Sequence, residues 1–134
     1  MKLRPINYID ENIYVSNSKG MGRGMFTWTS LEKGTVIEVA PVIVMSRQER
    51  TFLDQTLLHD YIFEWGERQD QCCVAMGYVS IYNHSYQSNC EYEMNFTKEI
   101  ISVKTIRSIE AGEELFINYN GDWNNAKPLW FDAK

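Results

Sequence analysis

Short apolar stretches, separated by glycine, proline and serine, recur along most of the 134-residue chain. Four early stretches are rich in β-branched and aromatic residues, a composition typical of strands; they lie at 13–15, 24–28, 35–39 and 42–45. Three later stretches predict further strands at 60–65, 91–96 and 100–106, of which the first two alternate apolar and polar positions. The spacing of the last two suits a hairpin, and 115–119 is the last clear strand.

One segment has the periodicity of a helix. Ser46 and Glu49 form a capping-box pattern, and apolar residues then recur at helical spacing at Phe52, Leu53 and Leu57. The pattern predicts one short helix over about 46–58.

Many short strands and one helix predict a mostly β fold of several small antiparallel sheets. The length suits one core, so 1–134 is interpreted as a single domain. Residues 30–34 are similar to residues 108–112, and each segment leads into a strand. An echo this short indicates a reused turn and not a repeat architecture.

Composition and charge narrow the class of protein. Apolar residues make up 44% of the chain and the net charge is -5, with seven acids against two bases between positions 60 and 99. This local excess suggests a basic partner such as a Lys/Arg-rich peptide, but on charge alone an ordinary solvated acidic face is the favoured interpretation. Direct nucleic-acid binding is not expected, because it demands a surplus of lysine and arginine.

The longest apolar stretch, 36–45, is interrupted by Glu38 and Pro41 and falls short of the roughly 20 residues that a membrane span requires. The first residues lack the apolar run of a secretion signal. Three cysteines at 72, 73 and 90 form neither a disulfide framework nor a metal-type spacing. The expectation is an intracellular protein, cytoplasmic or nuclear if the host is eukaryotic, with no membrane contact and no bound metal.

A glycine-rich loop, 19–24, lies between two predicted strands. Its three alternating glycines allow the main chain to approach a ligand closely. The loop is neither a P-loop nor a dinucleotide-binding fingerprint, since the lysine precedes the glycines and a strand follows them. Alone, the loop is a weak signal, and a mobile hairpin turn is the favoured interpretation.

Two polar clusters complete the candidate chemistry. Asn83-His84-Ser85 and Asn89-Cys90 follow an apolar segment and indicate either a hydrogen-bonded turn or a ligand-reading loop. No nucleophile motif accompanies His84, so a structural histidine is favoured over a general base. The second cluster, 107–119, ends at Tyr119.

The order of these three elements resembles the SET-domain family of protein lysine methyltransferases. The glycine loop is similar to the family's first cofactor segment, 77–85 with Asn89-Cys90 to its most diagnostic motif, and 109–119 to its final strand and tyrosine. The resemblance covers about 13–123, and the small single-domain SET proteins of large viruses and bacteria are the most similar type. It implies the β-clip SET fold, with a C-terminal pseudoknot that brings Asn83 and Tyr119 together.

The resemblance also implies a function, namely methyl transfer from S-adenosylmethionine to a lysine of a protein substrate. A basic tail of a histone, histone-like or ribosomal protein is the expected substrate. Tyr119 corresponds to the catalytic tyrosine; the implied cofactor-binding residues are Lys19, Gly20, Met21, Gly22, Asn83 and His84. Tyr61 is the candidate wall of the lysine channel, with a core-facing aromatic as the alternative. Ile117 occupies the position that tunes methylation state in some members, and an aliphatic residue leaves that state undecided.

The chain departs from zinc-clipped family members because no cysteine follows Cys90. The aromatic tail, 124–134, is expected to close the site instead, with Trp123 stacked on the cofactor and Trp130 as the other candidate. A homodimer is a further hypothesis, since a small domain lacks flanking substrate contacts. Two alternatives are a catalytically inactive SET-fold module that binds basic peptides and a structural protein without a ligand.

Overall fold

The computed structural model describes residues 6–120, which form two sheets around one hydrophobic core. Ten strands occur in this part of the chain: β1 (Tyr8–Ile9), β2 (Ile13–Ser18), β3 (Gly22–Thr27), β4 (Val36–Met45), β5 (Phe63–Trp65), β6 (Gln71–Ala75), β7 (Asn83–His84), β8 (Cys90–Asn95), β9 (Ile100–Thr105) and β10 (Glu114–Ile117). The single α-helix, α1, is Arg47–Leu53, and 3₁₀ turns lie at Leu57–Asp60 and Val79–Ile81. The prediction of a mostly β fold is confirmed.

The larger sheet has the strand order β5-β6-β4-β9-β8, with β1 also paired to β4. The smaller sheet has the order β2-β3-β10-β7. Every named pair is antiparallel except β7 and β10, which run parallel. The core between the sheets contains fully buried side chains such as Met25, Ile37, Val103 and Leu115.

Strand β4 joins two strands that the sequence predicted separately. Pro41 lies where β4 changes partners, because residues up to Pro41 pair with β9 and residues from Val42 onward pair with β6. Proline lacks an N–H donor, so a position at a change of partner costs the ladder little. The predicted hairpin is confirmed, and β8 pairs with β9 in the register Glu91↔Lys104.

The helix begins as predicted but ends early. The N–H of Glu49 donates to Ser46 Oγ at 3.1 Å, and the N–H of Ser46 donates to Glu49 Oε1 at 3.0 Å, which completes the capping box. The hydroxyl of Thr56 donates to the carbonyl of Leu53 at 2.7 Å and caps the following 3₁₀ turn. The helix ends at Leu53 and the 3₁₀ turn follows it, so the helix does not reach 58.

The two segments with similar sequences, 30–34 and 108–112, contact each other in the structure. The N–H of Leu31 donates to the carbonyl of Ile109 at 2.8 Å, and the N–H of Ile109 donates back to Leu31 at 2.9 Å. The two similar turns therefore face one another across an isolated antiparallel bridge. Within residues 6–120, no helix is long and apolar enough to cross a membrane.

Candidate active site

Tyr119 is held at three points immediately after β10. Its hydroxyl donates to the carbonyl of Tyr82 at 2.6 Å, and its N–H donates to Nδ1 of His84 at 3.0 Å. Its own carbonyl accepts from the hydroxyl of Tyr92 at 3.2 Å. These bonds fix both the ring and the main chain of the residue.

The phenol of Tyr119 is neutral under physiological conditions. Burial, with smaller contributions from the charges of Tyr61 and Glu114, raises the pKa of Tyr119 to about 12. The hydroxyl proton is engaged by the Tyr82 carbonyl, so the oxygen presents only its lone pairs to other groups. Tyr119 is therefore a positioned acceptor and not a phenolate base.

His84 supports Tyr119 from β7. Because Nδ1 accepts the Tyr119 N–H, the neutral ring carries its proton on Nε2. The ring lies between Tyr86 and Tyr119, at centroid distances of 4.4 and 5.1 Å, and burial lowers the pKa of His84. Nε2 is buried without a hydrogen-bond partner among the described residues.

Asn83 and Glu114 form a polar network beneath the glycine loop. The amide nitrogen of Asn83 donates to the carbonyl of Arg23 at 3.0 Å and to Glu114 Oε2 at 2.9 Å. The other carboxylate oxygen of Glu114 accepts from the hydroxyl of Ser18 at 2.6 Å. The network thus ties both sides of the loop to β7 and β10.

The loop is a tight turn with an exposed main chain. Gly20 and Gly22 have φ angles of 78° and 72°, which favour glycine, and the space beside both is open. Lys19 is exposed and Met21 is half-buried. Gly24 differs from the other two, because a Cβ there would collide with the carboxylate of Glu114 and lie 2.8 Å from the Asn83 amide nitrogen.

The two predicted channel residues lie in different surroundings. Tyr61 is 43% exposed, follows the 3₁₀ turn at 57–60, and is close enough to Tyr119 for its charge to influence that phenol. Ile117 has no exposed surface and packs in the hydrophobic core. The structure therefore brings Tyr61 toward Tyr119, whereas Ile117 is buried in the core.

Other expectations concern the cysteines and the tail. All three thiols are buried, and burial raises the pKa of both Cys73 and Cys90 to about 12. No group of three potential metal ligands occurs among residues 6–120. Trp123, Trp130 and the tail at 124–134 lie outside the described residues.

The sequence did not single out Tyr82, Tyr92 or Glu114 as site residues. Tyr82 and Glu114 lie inside the motifs that carry the family resemblance. The local sequence does not indicate, however, that the carbonyl of Tyr82 or the carboxylate of Glu114 faces the site. Asn89 is similar, since its amide donates to the carbonyl of Glu114 and accepts from the N–H of Phe116, both at 2.8 Å. These contacts depend on pairing between distant strands.

Residues 22–120 match the sequence profile of the SET domain. A histone-lysine N-methyltransferase of Schizosaccharomyces pombe, specific for H3 lysine-37, is 31% identical over 128 residues, which make up 95% of this chain and 82% of that protein. The chain belongs to the SET-domain family. The sequence-based assignment to the SET-domain protein-lysine methyltransferases, whose methyl donor is S-adenosylmethionine, is thereby confirmed at the level of the family.

Other relatives share this SET domain as part of larger proteins. MEDEA, a histone-lysine N-methyltransferase of Arabidopsis thaliana, is 26% identical, and the match covers 88% of this chain but 19% of that protein.

Solved structures share the fold. A candidate histone methyltransferase from Plasmodium falciparum superposes with a TM-score of 0.64 at 26% identity and covers 83% of this chain and 99% of that one. A Polycomb Repressive Complex 2 structure bound to S-adenosylmethionine, named ctPRC2, superposes with a TM-score of 0.70 at 22% identity over 87% of this chain and 16% of that one.

Proposed function

We propose that this SET domain transfers a methyl group from S-adenosylmethionine to the ε-amine of a lysine in the basic tail of a histone or a similar protein. The observation that carries the proposal is the Tyr119 hydroxyl, held at 2.6 Å by the Tyr82 carbonyl beside the Asn83–His84 strand. Family membership and the relative named for H3 lysine-37 support the same reaction.

Features of the described chain fit the cofactor. Nε2 of His84 is a buried polar atom without a partner there, and the turn containing Gly20 and Gly22 presents main chain that side chains do not cover. In the described part β7 is the edge strand of its sheet, so one side of its main chain is free of ladder bonds. Lys19, Gly20, Met21, Gly22, Asn83 and His84 would hold S-adenosylmethionine, with Asn83 acting mainly by shaping the loop.

The cofactor supplies an electrophilic methyl group on a sulfonium. Tyr119 contributes position, because its neutral oxygen offers lone pairs for C–H···O contacts while its proton is engaged elsewhere. The lysine amine has to be neutral to react, and an apolar environment that excludes water lowers an amine's pKa through desolvation. Tyr61 and the Phe63–Tyr92 pair, with ring centroids 5.5 Å apart, supply such an environment near Tyr119.

Charge favours a basic substrate segment. Glu67 and Asp70, in the loop after β5, and Glu93 on β8 are exposed, whereas the neighbouring Glu64 is paired with Arg50 at 3.4 Å. A basic segment gains favourable encounters with such a surface. A histone substrate would place the reaction in the nucleus of a eukaryotic host, and the proposed homodimer would add substrate contacts from a second copy.

The competing function is a SET-fold module that binds basic peptides without turnover. The two functions differ in whether the cofactor binds and whether a lysine gains mass. Isothermal titration with S-adenosylmethionine and mass spectrometry of histone H3 peptides therefore separate them.

The experiment compares the wild type with Asn83→Ala and Tyr119→Phe, with Tyr14→Phe as the control. Asn83→Ala removes the bonds to Arg23 and Glu114 and should weaken cofactor binding. Tyr119→Phe should keep cofactor binding and lower kcat by about a hundredfold, because the positioned oxygen is lost. Tyr14→Phe should behave as wild type. Peptide binding without cofactor binding would favour the inactive module, and wild-type turnover in Tyr119→Phe would remove the role assigned to Tyr119.

A further inference from the structure

A buried carboxylate binds the hydroxyl of Tyr82, the residue whose carbonyl accepts the hydroxyl of Tyr119. Glu38, on β4, has no exposed surface. Its Oε1 accepts from the hydroxyl of Tyr82 at 2.9 Å, and its Oε2 accepts from the N–H of Tyr78 at 2.7 Å. One side chain therefore contacts both ends of the segment 78–82.

The chain enters this segment through a position that has to lack a side chain. Gly77 has a φ of 67°, and a Cβ built there would collide with Oε2 of Glu38. The carboxylate thus packs directly against the main chain. Close packing of this kind leaves the segment little freedom to shift without moving Glu38.

The segment ends at the group that the site uses. Residues Val79–Ile81 form a 3₁₀ turn, and the Ser80 hydroxyl donates to the carbonyl of Tyr61 at 2.8 Å. Tyr82 follows with a fully buried ring, and its carbonyl accepts the hydroxyl of Tyr119 at 2.6 Å. The orientation of that carbonyl therefore depends on a residue whose own hydroxyl is fixed by Glu38.

We propose that Glu38 is a positioning residue for methyl transfer: it fixes Tyr82, and thereby the carbonyl that aligns the hydroxyl of Tyr119. The catalytic role of Tyr119 in this inference rests on the proposed function. Both oxygens of Glu38 bind the segment 78–82, so its effect on Tyr119 is indirect and passes through Tyr82. A buried carboxylate is costly, and its two oxygens here meet two donors from the same short segment.

The first test needs no cofactor and no activity. In protein with tyrosines isotopically labelled at Cζ, the Tyr119 resonance is identified by its loss in Tyr119→Phe. Tyr82→Phe and Glu38→Leu should shift that resonance, because each breaks the bond between Glu38 and Tyr82. Glu38→Gln should shift it less than Glu38→Leu does, since the amide oxygen can accept from the N–H of Tyr78 while the amide nitrogen donates to the Tyr82 oxygen, which reverses the direction of that one bond.

The matched control is Thr105→Val. It removes another buried hydroxyl bond, from Thr105 to the carbonyl of Glu32 at 2.7 Å, away from the site. This variant should lower the melting temperature and leave the Tyr119 resonance in place. An unmoved resonance in Tyr82→Phe overturns the proposal even if Glu38→Leu fails to fold.

Kinetics give the second test. Tyr82→Phe should lower kcat about tenfold, with the cofactor Kd and peptide KM near wild type, whereas Thr105→Val and Glu38→Gln should keep most of kcat. A loss confined to KM, or an equal kcat loss in Thr105→Val, would reduce Glu38 to a structural residue. If the wild type methylates no peptide, the proposed function fails, while the resonance test still decides whether Glu38 positions Tyr119.

Discussion

The amide of Asn83 donates to the carboxylate of Glu114 at 2.9 Å across 31 positions of sequence, and both side chains pack against the main chain of Gly24. Asn83 lies on β7 and Glu114 begins β10, so the bond joins two of the strands that build the site. Gly24 on β3 lies close enough to contact both side chains. Because of this network, Gly24 has no room for a side chain. Gly20 and Gly22 have open space beside them.

Gly24→Ala should therefore damage the site as well as the fold. The new methyl group displaces Glu114 and Asn83, which should lower the unfolding free energy by about 1–3 kcal/mol and weaken S-adenosylmethionine binding. Urea denaturation and isothermal titration measure the two effects. Gly34→Ala is the control: its φ of 84° imposes strain, but its surroundings are open and distant from the network. Equal effects of both substitutions on cofactor binding would contradict this assignment.

His84 should lower the stability of the folded domain at acidic pH. Its Nδ1 has to be unprotonated to accept the Tyr119 N–H, and burial lowers the pKa of His84. The unfolded chain then binds this proton more readily than the folded chain, so stability is present above the ordinary histidine value of 6.5 and falls as pH falls below it. His84→Gln should remove this slope, at most about 1.4 kcal/mol per pH unit. Identical slopes in urea titrations of both proteins would show that His84 does not contribute.

The buried thiols of Cys73 and Cys90 should lower the stability of the folded domain at alkaline pH. Burial raises the pKa of Cys73 and Cys90 from 9.0 to about 12, so the folded chain keeps protons that the unfolded chain releases. Stability is then complete below the unfolded value and is lost as pH rises through this window. Each thiol should contribute a slope of about 1.4 kcal/mol per pH unit. Cys90→Ala should have a shallower slope than wild type between about pH 9 and about pH 11, and an unchanged slope would refute the attribution.

The hairpin between β8 and β9 contains a strained backbone position that a single substitution should relieve. Glu99 has a φ of 54°, a conformation that costs a residue with a Cβ. Glu99→Gly should raise the unfolding free energy by roughly 0.5–1 kcal/mol, after the greater freedom of glycine in the unfolded chain is counted. Glu93→Gly, within β8, is the control and should destabilise the domain. Thermal melts of both variants would test this, and a lower melting temperature for Glu99→Gly would contradict it.

Local signals in the sequence predicted local structure well. The capping box at Ser46 formed as expected, because both of its partners lie within one helical turn. The hairpin from β8 to β9 also followed from adjacent segments. The break predicted at Pro41 was wrong, since the tolerance of a strand for proline depends on which neighbour it has at that position.

The site itself depends on contacts that a linear pattern does not contain. Glu38 interrupts an apolar stretch and was interpreted only as such, yet its position on β4 directs its carboxylate into the core toward Tyr82. The family resemblance named Asn83, His84 and Tyr119 as partners, and the structure places His84 and Tyr119 in contact. The carbonyl of Tyr82 was not foreseen, because main-chain groups carry no signature in a sequence.

The parallel pairing of β7 with β10 affects the order in which the domain assembles. Bonds from β10 and Tyr119 span 96 positions to Ser18 and 37 positions to Tyr82, whereas the hairpins β2–β3 and β8–β9 close over short turns. Contacts between distant parts of a chain form late during folding, because the loops between them have to close first. The hairpins should therefore be in place before the last strand inserts. Methyl transfer would then be the last property to appear during refolding and an early one to disappear under denaturing stress.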